Sequence, residues 1–149
     1  MTIRIVSFLA MVFTALALVP GGAHLFALPN KIGMTQDQYF AAQGAYQGWW
    51  MMAFILIPAM LLNLLLAYLL RAERPGFILA VIGCVCMVAT LAIFFIWTSP
   101  ANVATQNWTV VPDNWQELRR QWEFSHAAAA LLNFAAFCLI AWTVLSARR

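Results

Sequence analysis

Apolar residues fall into four long runs, separated by short polar stretches: residues 3–27, 48–70, 75–98 and 126–147. Each is close to the roughly 20 residues that a helix needs to cross hydrocarbon at about 1.5 Å per residue. In hydrocarbon every backbone N–H and C=O must bond within its own segment, so runs of this kind predict α-helices. Pro20-Gly21-Gly22 interrupts the first run and predicts a kink or local unwinding, and Pro58 predicts a kink in the second. Arg71 to Gly76 forms a tight polar turn between the second and third runs. The other two connections are longer. Thr35-Gln36-Asp37-Gln38 has the form of a capping box, predicting a helix that runs straight into span two with Tyr39, Gln43, Tyr46 and Trp50 on one face. After Ser99-Pro100 comes an Asn-rich loop, then a turn at Val111-Pro112-Asp113-Asn114 with Asn114 as cap. From Trp115 no breaker intervenes, so the last helix is roughly 50 Å long and projects beyond the bilayer. The expected fold is all-α: a single domain, residues 1–149, forming an integral membrane four-helix up-down bundle with short external helical extensions.

Composition makes lipid the solvent. Of 149 residues, 64% are hydrophobic and 9% charged, whereas a soluble domain carries about a quarter charged residues. Arg4, Arg71, Arg74, Arg148 and Arg149 fall on one side of the spans. Lys31, Arg119 and Arg120 fall on the other, diluted by Asp37, Asp113, Glu117 and Glu123. The excess of cations in short loops predicts a multi-pass protein of a bacterial inner membrane with both termini cytoplasmic. Arg4, an apolar core and Gly21-Gly22-Ala23 also have the form of a secretory signal; the expectation adopted is a retained helix. The net charge of +3 is then an orientation signal, and no basic patch interleaved with aromatics points to nucleic acid. Cys84, Cys86 and Cys138 include no CxxC pair, which argues against a thiol oxidoreductase and for small apolar packing residues.

Chemistry concentrates at the outer end of the bundle. Ser7, Ala10, Thr14, Ala17 and Gly21 form a small-residue stripe on span one that ends at His24 and permits close helix approach. On the last helix Glu123 and His126 are three apart and share a face. If spans one and four are neighbours, His24, Glu123 and His126 converge as a metal-ligand set of two His and a carboxylate. The residues also admit a bis-His haem on His24 and His126, or a hydrogen-bonded cluster without metal. Against these stands a plain ion pair of Glu123 with Arg119 or Arg120, each His serving as an interfacial ring. Trp108, Trp115 and Trp122, with Tyr39 and Tyr46, either pack together or line a pocket for a flat apolar ligand. Trp49, Trp50, Trp97 and Trp142 fall at predicted boundaries as belt residues, while Asn63 and Asn133 lie deep within spans as interhelical glue.

The stretch Trp-x-x-Leu-Arg-Arg-x-Trp-Glu-x-x-His (Trp115, Leu118, Arg119, Arg120, Trp122, Glu123, His126), preceded by Asn107-Trp108, resembles a broad family of small four-span membrane proteins that includes the anthrone oxygenases. The resemblance implies a four-helix membrane fold and, for some members, oxygenation of a polycyclic phenolic without an obvious cofactor.

The leading expectation is a ligand or metal site at the outer interface, with an oxidoreductase acting on a lipid-soluble aromatic or quinone-like molecule. His126, Glu123 and Arg119 would be its catalytic groups, with Trp122, Tyr46 and Trp115 holding the ligand. The alternative is a non-enzymatic accessory subunit of a larger membrane complex, or a homo-oligomer, using the small-residue face and the aromatic cap.

Overall fold

A computed structural model describes residues 2–146. Arg148, Arg149 and the expected end of span four at Ala147 lie outside the described residues. The described chain is all-helical: α1 (Thr2–Lys31), α2 (Gln36–Gln43), α3 (Ala53–Leu69), α4 (Arg74–Ile93), α5 (Ser99–Ala104) and α6 (Trp115–Ser146). Four helical stretches are long and apolar enough to cross a membrane: Thr2–Lys31, Trp49–Leu69, Arg74–Ala104 and Trp115–Ser146.

Helix α1 packs against α3 and α6, and α4 packs against the same two. Many of the buried positions in this ring carry small side chains, such as Ala10, Thr14, Ala17, Ala59, Ala80, Ala130 and Ala136. Large apolar residues point outward instead, among them Phe8, Phe26, Phe54, Leu61, Phe95 and Phe134. Small residues inside let the backbones approach closely, and large ones outside suit a hydrocarbon solvent. At mid-depth Asn63 donates through Nδ2 to Thr14 Oγ1 (2.9 Å) and to the Ala59 carbonyl (2.8 Å), which ties α3 to α1. Asn63 is thus bonded to α1, while Asn133 is buried with Oδ1 unpartnered.

The ends of the spans depart from the sequence expectation in three places. Helix α1 continues through Pro20-Gly21-Gly22 without unwinding. Gly21 lies where α6 crosses closest: a Cβ there would stand 3.3 Å from Ala130 Cα and Cβ. The capping box at Thr35 and Gln38 forms as expected and starts α2, but α2 does not run into α3. It gives way to 3₁₀ turns at Gly44–Tyr46 and Trp49–Met52, separated by Gly48 at φ +82°. That left-handed value is open to glycine and breaks the predicted stripe, so Trp50 turns outward while Trp49 faces inward against His24. Finally, Ser99-Pro100 does not end the third span. Proline is tolerated in the first turn of α5, and a π turn at Phe94–Thr98 joins α4 to α5.

Candidate functional site

The external cap assembles α2, the first turns of α6 and the loop after α5. Tyr39, Trp108, Leu118 and Trp122 form its buried apolar centre, with Phe40, Tyr46 and Trp115 packed around them. Trp108 reaches it from a strained turn. Gln106, Asn107 and Trp108 have φ values of 49°, 56° and 65°, a run of three left-handed residues that costs roughly 1–2 kcal/mol at each. Thr105 Oγ1 accepts from the Trp108 amide (3.1 Å), and the Asn102 carbonyl accepts from the Asn107 amide (2.7 Å). The Asn102 side chain then receives both indole N–H groups, from Trp108 at 3.1 Å and Trp122 at 2.9 Å.

Beneath this cap lies a buried polar cluster. Glu123 is fully buried, and its Oε1 stands 2.6 Å from Lys31 Nζ at the end of α1. The Tyr39 hydroxyl donates to the same oxygen (3.0 Å) and accepts from Gln43 Nε2 (2.8 Å). Three aromatic faces surround the Lys31 ammonium: Trp122 at 4.5 Å, Tyr46 at 4.7 Å and Tyr39 at 5.4 Å to the ring centroids. Such cation–π contacts strengthen where water is excluded. Burial, and then the Glu123 charge, hold the Tyr39 phenol far above its ordinary pKa of 10.0; the same two causes raise Tyr46. Both tyrosines therefore stay neutral donors at physiological pH.

One turn deeper, His24 and His126 stack face to face, with ring centroids 4.2 Å apart and planes inclined by 28°. Trp122 packs against both imidazoles, at 4.9 Å from His24 and 4.1 Å from His126. Tyr46 (4.6 Å) and Trp49 (5.4 Å) close over His24. His24 is 4% exposed, whereas His126 is half-buried.

The structure brings His24, Glu123, His126, Trp122 and Tyr46 into one cluster and differs from the sequence reading in how their charges are paired. Glu123 does not pair with Arg119 or Arg120: its partner is Lys31, from another helix. Arg119 is buried and turns its guanidinium to the Met34 carbonyl (2.7 Å), over the Trp115 ring. Among the described residues no three His, Cys, Asp or Glu side chains are grouped to hold a metal ion, the expected set of His24, Glu123 and His126 included. Glu123 spends its charge on Lys31 instead. A bis-His haem does not fit this packing, because axial imidazoles sit on opposite faces of a porphyrin and here they stack on each other. Tyr46 and Trp122 do lie against the His pair; Trp115 lies further out, in the cap.

Lys31, Gln43, Asn102 and Trp49 were missed as members of the cluster. For Lys31 a signal was present: it lies seven residues beyond His24, on the continuation of the buried stripe. Several polar atoms of the cluster remain unpartnered: His24 Nδ1, Gln43 Oε1, Arg119 Nε and Glu123 Oε2. Among the described residues the other buried orphans are Asn63 Oδ1, Asn133 Oδ1 and Lys31 Nζ, whose one ion-pair partner is Glu123. Neither a protein-family model, nor a curated protein, nor a solved structure matches the chain.

Proposed function

We propose that the chain is a multi-pass, up-down helical bundle of a bacterial inner membrane, with both termini cytoplasmic, and that its outer cluster binds a lipid-soluble aromatic, quinone-like molecule for oxidoreduction. The observation that carries this reading is the concentration of unpartnered buried donors and acceptors in the Lys31–Glu123 cluster and at His24 beneath it. Buried polar groups are nearly always satisfied, so orphans gathered at one place indicate a missing polar partner. Aromatic rings surround these polar groups, a combination suited to a flat ligand bearing carbonyl or phenolic oxygens. Arg119 and Lys31 supply positive charge for such an oxygen, and Tyr46 and Trp122 are the aromatic rings that lie nearest the His pair. His126, the half-buried member of the pair, is the group placed to exchange a proton with a ligand oxygen. The orientation rests on the sequence: Arg4, Arg71, Arg74, Arg148 and Arg149 fall on one side of the spans against Lys31, Arg119 and Arg120 on the other.

The assembly reading loses its main support. The small-residue stripe of α1 is buried within the chain's own helix ring and is not free for a partner. The deciding experiment is organic extraction of protein held in lipid nanodiscs, followed by chromatography with ultraviolet and mass detection. An aromatic lipid near one per chain, lost in both His126→Ala and Lys31→Met while helicity is kept, is the expected result. Wild-type extract no richer in aromatic lipid than empty nanodiscs would overturn the reading.

A further inference from the structure

A second feature of α6 lies on the side of the helix away from the cluster. The π turn Phe94–Thr98 is a rare geometry, seen mostly where it serves a site. Two polar ties hold it to α6. Gln121 donates through Nε2 to the Trp97 carbonyl (2.7 Å), and Thr98 Oγ1 lies 2.8 Å from Ser125 Oγ. Between the turn and α6 is an open groove of about 430 Å³. Ser125 and Ala128 give it small side chains on the α6 side, while Ile93, Trp97 and Phe124 make it apolar. Arg120 is the exception. It is exposed, lines the outer end, and makes no ion pair among the described residues.

Arg120, Phe124 and Ala128 are spaced i, i+4 and i+8, so a cation stands at the head of an apolar track on one helix face. The track is about 12 Å long at 1.5 Å per residue, running from Arg120, outside the span that begins at residue 126, to Ala128 just within it, so it crosses the headgroup region into the top of one leaflet. We propose that this groove is a binding site for an anionic glycerophospholipid, with its phosphate on Arg120 and one acyl chain along Phe124 and Ala128. A guanidinium takes a phosphate through two parallel N–H bonds. A zwitterionic headgroup would bring its own ammonium toward the same cation, so the site selects net negative lipids. This site is separate from the aromatic cluster and does not depend on what that cluster binds.

The test is native mass spectrometry of the full chain released from detergent containing equal phosphatidylglycerol and phosphatidylcholine. Wild type retains one phosphatidylglycerol with a preference of about fivefold, the factor that one interfacial cation contributes. Arg120→Gln abolishes the preference, and Ala128→Trp, which fills the track, lowers retention of both lipids. Arg74→Gln, at the opposite end of the bundle, leaves the preference intact. Retention of the preference in Arg120→Gln, equal retention of both lipids by wild type, or displacement of phosphatidylglycerol by equimolar oleate would each overturn the assignment. Because Arg120 is exposed, its substitution leaves the fold in place, and circular dichroism of each variant verifies this.

Discussion

The Lys31–Glu123 pair offers the sharpest test of how the cluster is held together. Glu123 is fully buried and Lys31 nearly so, at 0% and 4% side-chain exposure, so neither charge is screened by solvent. Three charged groups share the cluster: Lys31 and Arg119 are positive, and Glu123 is negative. Glu123→Gln keeps the side-chain shape but leaves two buried cations with no counter-charge. Stranding buried charge in this way costs about 3–5 kcal/mol. Lys31→Met is milder, because the Arg119 charge stays in the cluster, although its guanidinium is turned to the Met34 carbonyl, and the Tyr39 hydroxyl still donates to the carboxylate. That loss should fall nearer 1–3 kcal/mol. The double variant removes the ion pair altogether and leaves Arg119 as the single buried cation. Its cost should therefore lie well below the sum of the two, with a coupling of at least about 2 kcal/mol. Unfolding by dodecyl sulfate titration in mixed micelles, followed through tryptophan fluorescence, measures all four corners of the cycle. Additive losses, or a Lys31→Met variant less stable than Glu123→Gln, would refute the charge arithmetic.

Two further outcomes follow from the same geometry. Tyr39 has its pKa raised in the folded state, so folding favours the protonated phenol; this contribution is complete below the ordinary value of 10.0 and is lost as pH rises beyond it. Tyrosinate absorbance of the folded wild type and of Tyr39→Phe should therefore coincide up to about pH 11, and a signal lower by a third in the variant would show that Tyr39 ionises normally. At the α1–α6 crossing, Gly21→Leu forces a side chain against Ala130, whose Cα already lies 3.3 Å from a built Cβ. This should lower stability in the same titration by about 1–3 kcal/mol, and an unchanged midpoint would mean that the two helices are not in close contact there.

How much of this was readable in the sequence depends on the kind of signal. Hydrophobic run length is a property of the chain alone, and it located the four long helices and the start of α6 at Trp115. The capping box at Thr35 is local chemistry and was equally legible. Breaks in helices were not. Proline and glycine at positions 20–22 signal an interruption, yet α1 continues because Gly21 is the space into which Ala130 fits. Gly44 and Gly48 lie off the predicted stripe of Tyr39, Gln43, Tyr46 and Trp50, yet α2 ends with Gly44 as its C-cap and the chain turns at Gly48. At Gly21 the glycine lets another helix approach, whereas at Gly48 the left-handed φ of +82° breaks the helix with nothing packed against it.

The same distinction governs the site. Local spacing offered Arg119 and Arg120 as partners for Glu123, since residues three and four apart on one helix are neighbours. The true partner is 92 positions away in the chain (123 − 31 = 92). Its position was nonetheless encoded: Ser7, Ala10, Thr14, Ala17, His24 and Lys31 are all buried on one face of α1, and this face meets α6. The stripe that explains why two helices pack closely therefore also delivers, at its outer end, an imidazole and then an ammonium to the facing imidazole and carboxylate of α6. A charge met on an otherwise buried stripe is thus better read as half of an interhelical pair than as a loop cation. For this chain that rule selects Glu123 as the partner, because it is the acidic residue that α6 buries.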